Sequence, residues 1–460
     1  MSAQEQELWQ KIQKQPYCDP TKRMDFVLFF DVRDGNPNGD PDAGNLPRMD
    51  PQTRQGIVTD VCIKRKIRDY LATLKGDNGA PLCSIYIQSQ SALNNLYYKA
   101  ARKMRDYDSE NDMGANDQEK ERKKQEAEVV GALLVQLDAC DNEKFRDLIA
   151  EPESEDNSSS EGDKNFRDWL EDVSKELDEL EFDPSERTLS YMGEASAKKT
   201  FNKKKFTGML MQEEFEPDKY KSQINSLATL LAEAKPNKAA EERKARELVK
   251  WKMCELYDDM RLFGGVLTAG TNAGQIRGPM QLTFGRSVEP ILQMDAAITR
   301  CAITTASDWK KKQTEFGRKP WLSWAVYRQH GFYNPLLGQQ TGVASEDLAR
   351  FWEALACMFR NSDSASKGEM TMHDVIVFVH DHPRGNAPSH LLFDKVNCEP
   401  TEYKGRNGDN EKDDVTMIKR DGFDNCYTIR VGTSTNDKIK VGRPLRDLWK
   451  QQASDAVSPV

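Results

Sequence analysis

The chain has 460 residues, 37% apolar and 31% Asp, Glu, Lys or Arg, with a formal net charge of −9. That length suits two or three domains under a very polar surface. No run approaches the roughly 18 apolar residues of a membrane span, and the start, MSAQEQELWQKIQKQ, lacks an apolar signal core. Nine scattered cysteines without a C-x-x-C argue against a disulfide scaffold or zinc ribbon, so a reducing cytoplasm is the expected setting.

Five regions are expected: an N-terminal extension (1–23), a first globular part (24–104), a charged insertion (105–237), a second globular part (238–398) and a C-terminal segment completing the fold (399–460). In the first part, Asp25–Val32 (DFVLFFDV) is a near-continuous apolar run, hence a buried strand. The following stretch to Gly56 is so rich in Gly, Pro, Asn and Asp that it reads as loop. Ile57–Leu74 reads as a helix with Ile63, Ile67, Tyr70, Leu71 and Leu74 on its apolar stripe. Cys83–Gln88 alternates as a strand should.

The middle region changes character. Residues 141–185 hold 17 Asp/Glu against 5 Lys/Arg, a local charge of −12, so the rest of the chain carries +3 and is free to present a basic face. Helices joined by a flexible acidic linker, EPESEDNSSSEGD, are the expectation, with too little apolar content between 141 and 185 to build core for the rest. Beyond it, Leu262–Leu267, Met280–Phe284, Ala297–Thr305, Trp321–Tyr327, Val375–Val379 and Tyr427–Val431 read as strands. Ser345–Arg360 reads as an amphipathic helix with Ser345 a possible N-cap. Few helices and several strands in runs predict an α+β fold with an antiparallel sheet, the split βαβ pattern being the natural candidate.

Chemistry is concentrated in a few places. KRKIR places Lys64, Arg65 and Arg68 on one side of the predicted helix, at a spacing suited to successive phosphates, unless they are simply a solvated face. The preceding loop adds Arg33, Arg48 and Arg54. Its Asn36-Pro37-Asn38-Gly39-Asp40-Pro41-Asp42 run is good turn chemistry. Asp31, Asp34, Asp40 and Asp42 could alternatively hold Mg²⁺ or Ca²⁺, although the EF-hand's terminal Glu is missing. Phe263–Gly278 is glycine-rich with Gln275 and Arg277 as donors, and it is neither a P-loop nor a dinucleotide fingerprint. His380 and His382 point the same way from a strand end and read first as structural residues. No cysteine sits in a nucleophile motif and no G-x-S-x-G occurs, so no catalytic residue, metal or cofactor is assigned.

The stretch FFDVRDGNPNGDPDAGNLPRMDPQTRQGIVTDVCIKRKIRDYL resembles the N-terminal signature of the backbone subunit of type I CRISPR effector complexes (Cascade), nearest the I-C and I-B subtypes. The likeness resumes at YDDMRLFGGVLTAGTNAGQIRGPMQLTFGRSVEPI. It continues through YRQHGFYNPLLG, the GEM segment at 368–370 and VHDHPRGNAPSHLLFDKV, covering about 24–100 and 238–398. It implies a modified RRM (ferredoxin-like) core with thumb and finger insertions. Copies would polymerise head to tail along one guide RNA and present it for pairing with target DNA, beside other subunits. Such a subunit is not the nuclease. Motif matches and residue chemistry together then nominate Asn36, Asn38, Arg48, Arg54, Lys64, Arg65, Arg68, Gln275 and Arg277 as RNA-binding. Two features depart from the pattern: residues about 105–237 have no counterpart that aligns, and no RNP1 aromatic motif is present. A rival reading is a guide-dependent ribonuclease of the type III backbone kind, with Asp40 or Asp42 as the acting carboxylate. A metal-dependent hydrolase built on His380 and His382 is a third.

Overall fold

The apolar run DFVLFFDV forms the middle of a sheet. In a computed structural model of the chain, β1 spans Met24–Gly35, and every position from Met24 to Val32 is buried. The structure describes residues 9–76, 78–89, 93–105, 107, 116–131, 135–140, 142–150, 165–177, 180–185, 187–191, 203–233, 239–267, 274–302, 314–400, 423–432 and 437–448. The acidic tract at 151–163, the glycine turn at 268–273 and the expected strand end at 303–305 lie outside these residues. Two units divide the chain: Met1–Ile85 with Arg261–Phe263 and Gly278–Val460, and Tyr86–Met260 with Gly264–Arg277. These boundaries differ from the expected ones at 104/105 and 237/238.

In the first unit β1 is followed by β2 (Gln55–Val58) and α1 (Asp60–Leu71). Later come β3 (Met280–Leu282), β4 (Gly285–Pro290), β5 (Met294–Arg300), β6 (Glu315–Tyr333), α2 (Ser345–Cys357) and β7 (Glu369–His380). Last are β8 (Val396–Pro400), β9 (Tyr427–Val431) and β10 (Ile439–Gly442). The sheet runs β10–β7–β1–β6–β4–β2, with β3 and β5 also on β6. Its pairings are antiparallel, with Phe30 opposite Tyr327 and Met24 opposite Val379. The fold is therefore α+β with a mostly antiparallel sheet.

Alternation along β1 sends its side chains into two different cores. Met24, Phe26, Leu28, Phe30 and Val32 join α1 and α2 through Ile63, Ile67, Phe351 and Trp352. Val27 and Phe29 meet Ile376, Phe378, Leu392, Phe393 and Val396 on the opposite face. Burial on both faces explains why β1 reads as a near-continuous apolar run. The expected N-terminal extension is part of this packing: Tyr17 and Cys18 are buried, and Trp352 Nε1 donates to Tyr17 O at 2.9 Å.

Several expectations are corrected. The helix begins at Asp60, not Ile57, because β-branched Ile57 and Val58 pair with β4 and Thr59 caps the helix by accepting from Cys62 N. Cys83–Gln88 is not a strand. Cys83 and Ile85 are buried in the first unit, but in the second the N–H groups of Tyr86 and Ile87 are satisfied by the Asp259 carboxylate instead of a partner strand. Leu262 and Phe263 end a short helix, Asp258–Phe263, so the strand there starts at Gly264. Ser345 is not the cap of α2. Ala344 holds that place, and its N–H donates to Asp347 Oδ2 at 2.8 Å.

The second unit contains more than linked helices. Leu93–Arg105, Asp117–Gly131 and Ala239–Leu256 pack around Tyr97, Ala100, Val249 and Met253. A three-stranded sheet, Val135–Asp138, Leu180–Asp183 and Thr188–Tyr191, joins helices over a second apolar cluster. The acidic segment contributes directly to that cluster. In the helix Phe166–Glu176, Phe166, Trp169, Leu170 and Val173 recur at helical spacing and are buried, while Asp168, Glu171, Asp172 and Glu176 are not among its buried residues. Net charge concealed a well-formed amphipathic helix.

Candidate nucleic-acid interface

The loop after β1 is ordered by its own turn chemistry. Gly39–Asp40 pairs with Leu46–Pro47, and the Asp40 side chain accepts from Asp42 N at 3.2 Å to start a short 3-10 turn. Asn38 Oδ1 accepts from both the N–H (3.0 Å) and the hydroxyl (2.9 Å) of Thr59, which ties the loop to the N-terminus of α1. Asn36 Nδ2 donates to Asn45 O at 2.6 Å. Gly35 and Gly368 let the end of β1 meet the start of β7. A Cβ on Gly35 would lie 1.9 Å from Lys367 O, and one on Gly368, whose φ is +64°, 2.1 Å from Arg33 O.

This join brings together a set of cations that sequence spacing had separated. Lys367 Nζ donates to Pro37 O at 3.2 Å, and Lys66 Nζ to Ser362 Oγ at 2.8 Å. Burial pushes the Cys62 thiol up, while Lys367, Lys66 and Arg48 each pull it down, so all three charges surround that one sulfur. Burial also holds the Lys66 ammonium below its ordinary range. Among the described residues neither Lys66 nor Lys367 has a carboxylate partner, whereas Arg48 Nη1 lies 3.6 Å from Asp40. Among the described residues, Asn36 Oδ1 and Arg48 Nε are buried without hydrogen-bond partners, an acceptor and a donor on the same loop. Lys66 and Lys367 were absent from the nominated set. The signal available for them was Lys66 lying inside KRKIR and Lys367 standing directly before the GEM segment.

The expected exposed face of KRKIR is corrected. Lys64 and Arg68 are only 9% and 8% exposed, lying 5.8 and 5.2 Å from the Phe263 ring centroid. Lys64 Nζ is held by Asp60 at 3.2 Å and Gln281 at 3.3 Å. Arg65 alone of the three projects outward, in a fork to Asp69 at 2.7 and 2.9 Å. The reason is that aliphatic stems of long cations cover apolar surface as readily as they reach water. Arg54 is exposed, with φ at +57°. Gln275 and Arg277 share the outward face of a hairpin, Gly264–Leu267 with Gly274–Arg277, that belongs to the second unit.

Two of the four carboxylates suggested as metal ligands have other engagements: Asp40 caps its turn beside Arg48, and Asp31 is held from the sheet. Asp31 Oδ2 accepts from Trp324 Nε1 at 2.7 Å, and Asp31 Oδ1 lies 3.1 Å from His373 Nε2. Among the described residues, no group of three or more His, Cys, Asp or Glu could hold a metal ion. His380 and His382 do not form a pair: His380 is buried against Asp25, while His382 Nδ1 accepts from Arg384 N.

The family model described as CRISPR-associated protein Cas7 matches residues 22–146 and 191–419. The chain belongs to the Cas7 family. Residues 147–190 fall between the two matched stretches, so the part that aligns with the family reaches further into the middle region than 105–237 implied. The CRISPR-associated protein Cas7 of Haloferax volcanii is 51% identical over 49 residues, which is 11% of this chain and 14% of that relative. Two solved structures cover 80% of the chain. One, titled CRISPR RNA-guided surveillance complex, pre-nicking, has 14% identity, a TM-score of 0.36 and 79% of its chain covered. The other, CRISPR RNA-guided surveillance complex, has 12% identity, a TM-score of 0.29 and 77% covered. No helix among the described residues is long and apolar enough to cross a membrane.

Proposed function

We propose that this Cas7-family chain is the backbone subunit of a type I CRISPR effector complex, of the I-C or I-B kind. It grips a guide RNA by its phosphates, polymerises head to tail along it, and presents the bases for pairing with target DNA beside other subunits. The observation that carries this reading is the cation set around the loop after β1: Lys66, Lys367 and Arg48 about Cys62, with Arg54 exposed nearby in sequence. Buried or half-buried ammonium groups without carboxylate partners suit an anion that arrives from outside. Asn36 Oδ1 offers an acceptor for a ribose hydroxyl. Within this reading the sheet is a modified RRM core, the β5–β6 ribbon its thumb, and Arg65, Gln275 and Arg277 supplementary backbone contacts. Asn38 shapes the loop, and Lys64 and Arg68 brace α1.

The same reading makes the subunit non-catalytic. Asp40 is used as a turn cap and lies against Arg48, which leaves it poorly disposed to activate a nucleophile. Nucleic acid co-purifying with the full-length protein tests the proposal. A discrete RNA of uniform length is expected, and protein free of RNA under low salt overturns it. Guide-loaded protein incubated with complementary RNA and Mg²⁺ should leave that RNA intact. Specific cuts that vanish in Asp40→Ala or Asp42→Ala would establish the ribonuclease reading instead.

A further inference from the structure

The second unit holds a cavity of about 530 Å³ that takes no part in the loop site. That volume falls within the roughly 300–1,000 Å³ usual for small-molecule sites. Part of its lining is the helix Phe166–Glu176, where Asp172 and Glu176 stand one turn apart on the same side. This part lies within 147–190, the stretch that the Cas7 model does not match. The 3-10 turns Glu213–Phe215 and Pro217–Tyr220 bring Glu214 and Glu216 to the same cavity. Trp169, Phe215 and Tyr220 add aromatic surface, the Trp169 and Tyr220 ring centroids lying 5.0 Å apart.

Four carboxylates line the cavity against two lysines. Lys175 is held by Glu171 at 2.8 Å and Asp172 at 3.5 Å. Among the described residues Glu176, Glu214 and Glu216 are exposed and have no ion-pair partner. The carboxylates do not converge on a point, since no group of three or more among the described residues could hold a metal ion. They suit a ligand whose positive charges are spaced apart. The aromatic surface narrows the choice. Lys219 Nζ lies 5.8 Å from the Tyr220 ring centroid, so a cation on a flexible aliphatic stem already rests against this lining. Trp169 Nε1 is spent on Phe215 O at 2.7 Å, which leaves a lining rich in acceptors and π-faces. A ligand that only donates fits it, whereas a peptide backbone would bring carbonyls with few donors to meet them.

We propose that this cavity binds a linear polyamine, its aliphatic segments on the aromatic surface and its ammonium groups on Glu176, Glu214 and Glu216. The local charge of −12 over 141–185 raises the concentration of such cations around it. The site does not depend on the RNA-binding reading, and it gives the middle region a ligand of its own.

The test is isothermal titration calorimetry of spermidine into full-length protein freed of nucleic acid, because RNA itself attracts polyamines. One site per chain is expected, with an affinity that falls as salt rises. Glu176→Gln with Glu214→Gln and Glu216→Gln should weaken binding about tenfold, the combined weight of three modest exposed charge contacts. Asp168→Asn with Glu213→Gln and Glu233→Gln removes as many charges from exposed positions outside the cavity lining, and should leave the affinity unchanged. Mg²⁺ at equal ionic strength should not displace spermidine. No heat of binding, or equal affinity in wild type and the first triple variant, overturns the proposal. An equal loss in the second triple variant, or displacement by Mg²⁺, also overturns it by showing only a diffuse attraction to a negative surface. A hexalysine peptide that binds wild type but not the first triple variant, while spermidine binds the two alike, identifies a basic peptide as the occupant and likewise overturns it.

Discussion

His380 Nε2 lies 2.9 Å from Asp25 Oδ2, and both residues are fully buried, one at the end of β7 and the other at the start of β1. His380 Nδ1 accepts from Asn386 N at 2.8 Å, so the proton is on Nε2 and is donated to the carboxylate. The contact clamps the two central strands at one edge of the sheet. Among the described residues, replacing His380 by Leu leaves Asp25 with only the 3.4 Å approach of Arg23. A loss of about 3–5 kcal/mol in denaturant unfolding is expected, the cost of stranding a buried charge. Asp25→Asn should cost less, since a neutral amide needs no compensating proton donor.

The buried cations Lys64 and Arg68 of α1 should separate experimentally from exposed Arg54 and half-buried Lys367 at the loop site. Lys64→Ala with Arg68→Ala removes two stems packed over Phe263, and should lower stability by about 1–3 kcal/mol. Arg54→Ala and Lys367→Ala should leave the unfolding midpoint within error. Each should reduce the salt slope of RNA binding by about 0.7, the value for one single-strand phosphate contact. Titrations at several salt concentrations, set beside urea melts of the same variants, check both halves.

Gly368→Ala is expected to damage RNA binding without touching any ligand-facing group. At φ +64° a Cβ is strained, and it would meet Arg33 O at 2.1 Å, so the β1 and β7 ends must part. Lys367 then leaves Pro37. RNA affinity should fall by more than in Lys367→Ala alone, and a mutant binding as tightly as wild type would show that the join is dispensable.

Stability should depend on pH through His330. Its folded pKa, about 4, is below the unfolded value near 6.5, so between these limits the unfolded chain binds the extra proton. Stability is therefore full above about pH 6.5 and falls as the pH drops toward 4, by at most about 3 kcal/mol and by less to the extent that water reaches the ring. Urea midpoints at pH 7 and pH 5, compared with those of His330→Phe, check this: the variant should lose part of the slope.

The acidic helix of the second unit should behave as core. Trp169 is 6% exposed, stacks near Phe166 and Tyr220, and donates from Nε1 to Phe215 O at 2.7 Å. Trp169→Ala should cost about 3–5 kcal/mol locally. Hydrogen exchange should rise across 166–176 and 217–231 while β1 keeps its protection. Uniform acceleration over the whole chain would contradict a separate core there.

Local chemistry determined a good deal of this protein from the sequence alone. DFVLFFDV had to be a buried strand, because a near-continuous apolar run leaves neither face for water. The Asn-Pro-Asn-Gly-Asp run had to be a turn-rich loop, and its Asx geometry is now visible at Asp40. Loop, helix and family signature together were enough to name the Cas7 family. What only the tertiary structure decided was where long side chains end. Lys64 and Arg68 carry the same charge as Arg65, yet two cover Phe263 and one reaches solvent, a difference set by a residue almost two hundred positions away. Lys367 became part of the loop site because two glycines let distant strands touch, and no periodicity encodes that approach. The −12 of the acidic segment was legible as a sum, but charge sums carry no face. Trp169, Leu170 and Val173 pack inward while the carboxylates stay in solvent, and only helical geometry with a partner surface can sort the two.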